Sequence, residues 1–209
     1  MVCFLTMTTP LSSSEAIRKS IHQLKVSVFT TRDIMLAAPD VSRALVDQVL
    51  SRMVRGGELE RVRRGMFSLP KVHDELGRLA PQSQDITAAV ERQIGAPIIP
   101  AGALALNELH LSTQVPVRLE FITAGPSQVL FVGKREIRLR HAPATRFRSR
   151  ERIVLLVIEA LRALGQKNIT DSIISSLRKT LSEQDRLVLH KNIANIPVWM
   201  QRYIREVAQ

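Results

Sequence analysis

The strongest constraint in this sequence is a helix that ends at a glycine pair and runs directly into an alternating basic segment. Between residues 42 and 55, apolar side chains recur at the helical period, and Gly56-Gly57 ends the helix. The segment LERVRRGMFSL (59–69) then alternates around Gly65, which predicts a β-hairpin with a basic tip. The apolar positions of the helix are Leu45, Val46, Val49, Leu50 and Met53.

Two further helices and a short strand are predicted upstream of this pair of elements. Residues 13–24 place apolar side chains at helical spacing, and VSVF (26–29) favours a brief strand. Thr30 starts a second helix with Asp33 as its capping-box partner, and Pro39 closes it. Helix, strand, helix, helix and hairpin is the element order of a winged helix-turn-helix, in which the third helix enters the major groove of DNA.

The third helix offers a polar face to a nucleic acid once its apolar stripe is buried. Gln pairs with adenine edges and Arg with guanine or phosphate, and Ala44 is small enough to meet a thymine methyl group. Asp47 either accepts from cytosine or pairs with Arg43, four residues earlier. A solvated amphipathic helix is the alternative interpretation. The predicted DNA-binding residues are Arg43, Ala44, Asp47, Gln48, Ser51, Arg52, Arg55, Arg61, Arg63 and Arg64.

The hairpin strengthens the DNA-binding interpretation because it concentrates guanidinium groups. Alternation predicts that Arg61 and Arg63 share one face, with Arg64 at the turn. Three guanidinium groups this close repel one another unless an anion neutralises them, and a phosphate backbone does so. Glu58 and Glu60 are the alternative source of that negative charge.

The sequence predicts an α+β protein with two domains. Residues 1–72 form the winged helix-turn-helix, residues 73–84 a linker, and residues 85–209 a mixed α+β domain with a small antiparallel sheet and a helical tail. APIIP (96–100) is predicted to be a turn, and the last two strands a hairpin across Gly133-Lys134. The predicted helices of the second domain are 85–94, 101–110, 151–164, 169–181, 183–192 and 197–208, and its strands are 117–123, 127–132 and 136–141.

The charge of the chain indicates a polyanionic partner. The net charge is +11 and the sequence pI is about 10.9, which is typical of proteins that meet nucleic acid or an anionic membrane surface. Residues 134–152 alone hold eight Lys or Arg and two Glu. This second patch extends the DNA footprint, binds RNA or an acidic protein, or is a solvated surface. Its predicted residues are Lys134, Arg135, Arg138, Arg140, Arg146, Arg148 and Arg150.

Catalytic and membrane patterns are not evident in the sequence. The five histidines are scattered without HxH or HExxH spacing, and no phosphate-binding glycine loop occurs. The one cysteine, Cys3, excludes an intramolecular disulfide and a cysteine-built zinc site. Residues 1–11 do not read as a signal peptide, and no stretch approaches the roughly 18 apolar residues of a membrane span. We therefore expect a cytoplasmic protein that is not an enzyme, without cofactor, metal or membrane partner.

Several segments resemble the bacterial AbiE-type antitoxin family. FTTRDI (29–34) and SRALVDQVLSRMVRGGELERVRRGMFSLPKV (42–72) resemble its N-terminal half. PAGALALNELHLSTQVPVRLEFITAGPSQVLFVGKREIRLRH (100–141) and LSEQDRLVLHKNIANIPVWM (181–200) are similar to its remainder. The most specific marks are RVRRGMF and the NxLxLSTQVP segment (107–116). The resemblance implies glycine at position 110, where this chain has His110.

This resemblance implies an antitoxin of a type IV toxin–antitoxin system, which serves abortive infection in phage defence. Its winged helix represses the operon of antitoxin and toxin at repeated operator sequences, as a DNA-binding transcription regulator. Its C-terminal domain opposes a nucleotidyltransferase-like toxin, directly or indirectly, and no catalytic residue carries over. Two alternatives stay open: a protein- or RNA-interaction module acting through the basic C-terminal domain, and a stand-alone winged-helix transcription factor.

Overall fold

Two units make up the part of the chain that is described by the computed structural model, which covers residues 12–75, 77–132 and 135–209. The division falls between Ile94 and Gly95. Helices and small sheets occur in both units, so the predicted α+β class is confirmed. No helix within the described ranges is long and apolar enough to cross a membrane.

The N-terminal unit holds a three-stranded sheet and a separate two-stranded hairpin among its helices. The sheet has the antiparallel order β1-β3-β2, and β4 pairs with β5. The elements are α1 (Ser13–Gln23), β1 (Val28–Thr30), α2 (Thr31–Ala37), α3 (Arg43–Arg55), β2 (Glu60–Arg63), β3 (Met66–Ser68), β4 (Lys71–His73), β5 (Gly77–Leu79) and α4 (Ser83–Ile94).

Local capping explains where α2 and α3 begin and end. The Thr30 hydroxyl accepts from the Asp33 backbone N–H, and the Asp33 carboxylate accepts from the Thr30 N–H at 2.8 Å, which is the predicted capping box. The Ser42 side chain caps α3 by accepting from Leu45. Gly56 ends α3, and Gly57 takes a φ of +74°, a left-handed conformation that glycine adopts without strain.

The core of the N-terminal unit is built on the predicted apolar stripe and on two stacked rings. Val46, Val49 and Leu50 are buried on α3. Phe29 of β1 and Phe67 of β3 are buried, with ring centroids 6.0 Å apart. Each such side chain stabilises the fold by about 1.5–3 kcal/mol. Because Phe29 and Phe67 occupy paired strands, this packing also fixes the hairpin β2–β3 against the helices.

The structure differs from the predicted linker and from the predicted start of the second domain. Part of segment 73–84 belongs to the exposed hairpin β4–β5, and α4 lies in the N-terminal unit. The reason is a long-range ion pair: Arg92 of α4 donates to both carboxylate oxygens of buried Asp33, each at 3.3 Å, and to the Val28 carbonyl at 2.8 Å. Such partners, distant in sequence, leave no local pattern.

The C-terminal unit combines a four-stranded sheet with a group of helices. Its apolar core joins α5 and α6 to the three helices that follow. The elements are β6 (Ile98–Pro100), α5 (Gly102–Glu108), β7 (Leu119–Thr123), β8 (Gln128–Val132), β9 (Arg135–His141), α6 (Arg152–Leu164), α7 (Asp171–Thr180), α8 (Glu183–Lys191) and α9 (Val198–Ala208).

The sheet of the C-terminal unit corrects two sequence predictions. Its order is β6-β7-β9-β8, and β6 occupies the segment predicted to be a turn. The predicted hairpin β8–β9 is confirmed, but β7 and β9 run parallel, so the sheet is mixed rather than antiparallel. Strand β9 takes the interior position because its alternating residues Ile137 and Leu139 are buried, whereas β8 leaves Val129 and Phe131 exposed.

His110 adopts the backbone conformation that a glycine would favour. Its φ is +53°, in the left-handed region, directly after α5 ends. The turn at this position therefore keeps a glycine-like geometry despite the histidine. Nearby, the Asn107 side chain donates to the carbonyls of Ser112 and Gln114, at 3.3 and 3.2 Å, and organises the loop that follows.

We expect Arg92→Met to lower the free energy of unfolding by about 2–4 kcal/mol, because it leaves the buried Asp33 carboxylate without its cation. In a double-mutant cycle with Asp33→Asn, measured by urea denaturation, the second substitution should cost less by about 1–3 kcal/mol when the first is present. Additive losses would show that the pair does not hold α4 to the N-terminal unit.

Candidate nucleic-acid interface

Helix α3 presents a continuous polar face to solvent. Among the predicted residues, Arg43, Ala44, Asp47, Gln48, Arg52 and Arg55 are exposed, and Ser51 is half-buried. This division follows from the burial of the opposite stripe in the core of the N-terminal unit.

Two hydrogen-bonding groups on this face have partners on α3 itself. Arg43 Nε lies 3.8 Å from the Asp47 carboxylate, so the interpretation of Asp47 as the i+4 partner of Arg43 describes the isolated protein. Arg55 Nε donates to the Ser51 carbonyl at 3.4 Å. Gln48 and Arg52 have no side-chain hydrogen bond to any described residue, which leaves their donors and acceptors available to a ligand.

The hairpin β2–β3 corrects the predicted placement of Arg63. A register shift between Arg61 and Arg63 interrupts the alternation, so the two side chains do not lie together on one exposed face. Exposed Arg61 lies over the Phe67 ring, at 5.8 Å from its centroid. Arg63 is half-buried and donates to Gln93 Oε1 at 3.0 Å. Burial lowers the pKa of the Arg63 guanidinium.

The turn of the hairpin carries the exposed cation. Gly65 takes a φ of +72°, and its carbonyl accepts from the Thr31 backbone N–H at 3.1 Å, which ties the turn to the first residue of α2. Arg64, beside it, is exposed, as predicted.

Glu58 and Glu60 do not neutralise the arginines of the hairpin. Glu58 forms a two-pronged ion pair with Arg18 of α1, and that hydrogen bonding lowers the pKa of the Glu58 carboxyl group. Glu60 lies 3.4 Å from Arg78 of β5. Both carboxylates are thus matched to cations outside β2–β3, and the positive charge of Arg61 and Arg64 is left for another anion.

An open groove of about 610 Å³ lies beside the beginning of α3. Its lining includes Arg32 and Gln93, which the sequence prediction of the interface did not contain. Arg32 Nη1 donates to the Gln93 carbonyl at 2.7 Å, a contact across 61 positions of sequence. No sequence signal could have revealed this pairing. The lining residues are Thr30, Thr31, Arg32, Met35, Arg43, Arg64, Gly65 and Gln93.

The predicted second basic patch is divided by ion pairs within the C-terminal unit. Arg146 forms a two-pronged pair with Glu159, which is only 4% exposed, at 2.6 and 2.7 Å. Arg138 donates to Glu136 at 2.7 Å. The exposed predicted members are Arg140, Arg148 and Arg150. Lys134 lies outside the described residues, and for Arg135 the structure gives only its place in β9.

The comparisons with known proteins give a family without an assigned function. Residues 15–189 match the family described as "Family of unknown function (DUF6088)", and the chain belongs to that family. No curated protein matches the chain. Among solved structures, it is similar to the crystal structure of the RV2827C protein from Mycobacterium tuberculosis, with 13% identity and a TM-score of 0.47. That likeness covers 93% of this chain and 76% of the other.

Substitution should separate the structural arginine of the second patch from its surface arginines. Arg146→Met leaves Glu159 buried with only Arg162, whose Nε is 3.5 Å away, so we expect a loss of about 2–4 kcal/mol of unfolding free energy. Arg148→Met, the matched control at an exposed position, should change it by less than about 0.5 kcal/mol. Equal effects in chemical denaturation would contradict this division.

Proposed function

We propose that the N-terminal unit is a winged helix-turn-helix that binds double-stranded DNA, with α3 in the major groove and hairpin β2–β3 as the wing. The element order α1-β1-α2-α3-β2-β3, with antiparallel strand order β1-β3-β2, supports this proposal. On this basis the protein is a transcription regulator rather than an enzyme.

The exposed face of α3 is the observation that carries the proposal. Gln48 and Arg52 are solvent-exposed and have no hydrogen-bonding partner among the described side chains. A glutamine amide suits the paired donor and acceptor of adenine, and an arginine fork suits the two acceptors of guanine. Ala44, at the start of the same face, leaves room for the helix to approach the base edges. These side chains therefore suit sequence reading as well as adhesion.

The wing supports binding through charge. Arg61 and Arg64 are exposed on a hairpin whose two nearby glutamates are paired elsewhere. A phosphate backbone beside the major groove supplies the missing negative charge. Arg63, which is half-buried and held by Gln93, acts as a positioning residue for the hairpin rather than as a DNA contact.

The biological role we propose is that of an autorepressor and antitoxin. It follows from the resemblance of residues 29–72, 100–141 and 181–200 to AbiE-type antitoxins. The protein would repress its own operon and, through its C-terminal unit, counter a nucleotidyltransferase-like toxin. An RNA- or protein-binding module built on the second basic patch is less favoured, because Arg138 and Arg146 are already paired with glutamates.

A reporter gene fused to the DNA upstream of the coding sequence tests the proposal. We expect Gln48→Ala with Arg52→Ala, and separately Arg61→Ala with Arg64→Ala, to weaken repression at least about tenfold. Each two-pronged base contact is worth about 1–3 kcal/mol. The matched control is Arg148→Ala with Arg150→Ala, which removes the same charge from exposed positions of the C-terminal unit and should leave repression intact.

Growth of cells that also express the adjacent nucleotidyltransferase-like gene separates the two roles. If the α3 and wing variants lose repression but still protect the cells, the two units divide the labour as proposed. If the control variant alone loses repression, the basic C-terminal surface is the binding site and the winged-helix assignment is wrong. Thermal melting of each purified variant checks that the loss is not one of folding.

A further inference from the structure

The groove beside α3 gathers arginines from three different elements. Arg32 lies on α2, Arg43 is the first residue of α3, and Arg64 lies at the turn of hairpin β2–β3. These positions are distant in sequence and meet only because the helices and hairpin fold around one opening. No carboxylate belongs to the lining.

Nearby acidic groups are already committed to other cations. Asp33, on the same helix as Arg32, is buried and accepts from Arg92 and from the Thr30 backbone. Asp47 lies 3.8 Å from Arg43 Nε, a separation at which the guanidinium keeps its remaining N–H groups for another acceptor. The groove thus has a net positive potential, which attracts and holds anions.

Gln93 sets the position of two guanidinium groups at this groove. Its carbonyl accepts from Arg32 at 2.7 Å, and its side-chain oxygen accepts from Arg63 at 3.0 Å. Arg63 keeps a buried Nε without a hydrogen-bond partner among the described atoms. This fourth cation has no carboxylate partner in the described chain, so an anion bound nearby would stabilise it.

We propose that the groove binds phosphate groups of a DNA strand, with Arg32, Arg43 and Arg64 as donors and Gln93 as a positioning residue. This inference rests on the proposed function and deepens it. The groove adjoins the first residue of α3 and the tip of the wing, so it continues the proposed interface. Guanidinium forks match phosphate oxygens, and contacts of this kind fix the register of a protein on DNA without reading sequence.

A phosphate contact has a signature that base reading lacks. Its loss weakens binding to every sequence equally and lowers the slope of log affinity against log salt by about 0.9 for each phosphate released. We therefore expect Arg32→Gln to reduce affinity about tenfold for both the native upstream duplex and a scrambled duplex, since hydrogen bonds to charged groups are the stronger kind. The preference for the native sequence should not change.

Fluorescence anisotropy across a salt series measures these quantities. Gln93→Glu, which places a carboxylate at the groove without changing side-chain size, should act in the same direction as Arg32→Gln. Lys19→Gln and Gln23→Glu are matched controls on α1: they change charge equally at exposed positions outside the lining, and the salt slope should hold. If Arg32→Gln keeps the wild-type slope while wild type prefers its native sequence, the groove inference is overturned and the proposed function stands.

Two other outcomes have separate meanings. If wild-type protein binds neither duplex, the proposed function itself fails and the groove inference fails with it. Isothermal titration with pyrophosphate, in the absence of DNA, tests for a free phosphorylated ligand. Micromolar binding that Arg32→Gln abolishes, together with an unchanged salt slope, would assign the groove to such a small molecule and overturn its assignment to the DNA backbone.

Discussion

The buried carboxylate of Asp33 is the contact on which the geometry of the N-terminal unit depends. It caps α2 through the Thr30 backbone and pairs with Arg92 of α4, which also donates to the Val28 carbonyl of β1. One anion therefore joins three elements of the unit. Because Gln93 follows Arg92, the same anchor places the side chain that holds Arg63 and the carbonyl that holds Arg32.

Partnering decides which arginines of this basic chain are available to a ligand. Arg92 and Arg146 are matched to nearly buried carboxylates and act in folding. Arg52, Arg61 and Arg64 lie at the surface without an ion-pair partner among the described residues. Net charge alone would have placed the ligand site in the C-terminal unit, where positive charge is densest in the sequence. The pairing instead favours α3 and the hairpin of the N-terminal unit as the proposed nucleic-acid interface.

Local pattern predicted most of the elements, and long-range contacts account for what it missed. The stripe on α3, the Thr30–Asp33 capping box, the turn at Gly65 and the hairpin β8–β9 depend on neighbouring residues, so the sequence predicted them correctly. The sequence did not predict strand β6, the parallel pairing of β7 with β9, or the attachment of α4. Each depends on partners far along the chain. At the candidate site, the same limit hid Arg32 and Gln93 and misplaced Arg63, whose strand carries an irregular register.

The central claim is that the exposed face of α3 reads DNA sequence. Its most direct test is the affinity of the purified wild-type protein for its native upstream duplex and for a scrambled duplex of equal length, measured at physiological salt. The account predicts a preference on the order of 10³-fold or more for the native duplex. Equal affinities that fall together as salt is raised would mean binding by charge alone, and would contradict the assignment of α3 as a recognition helix.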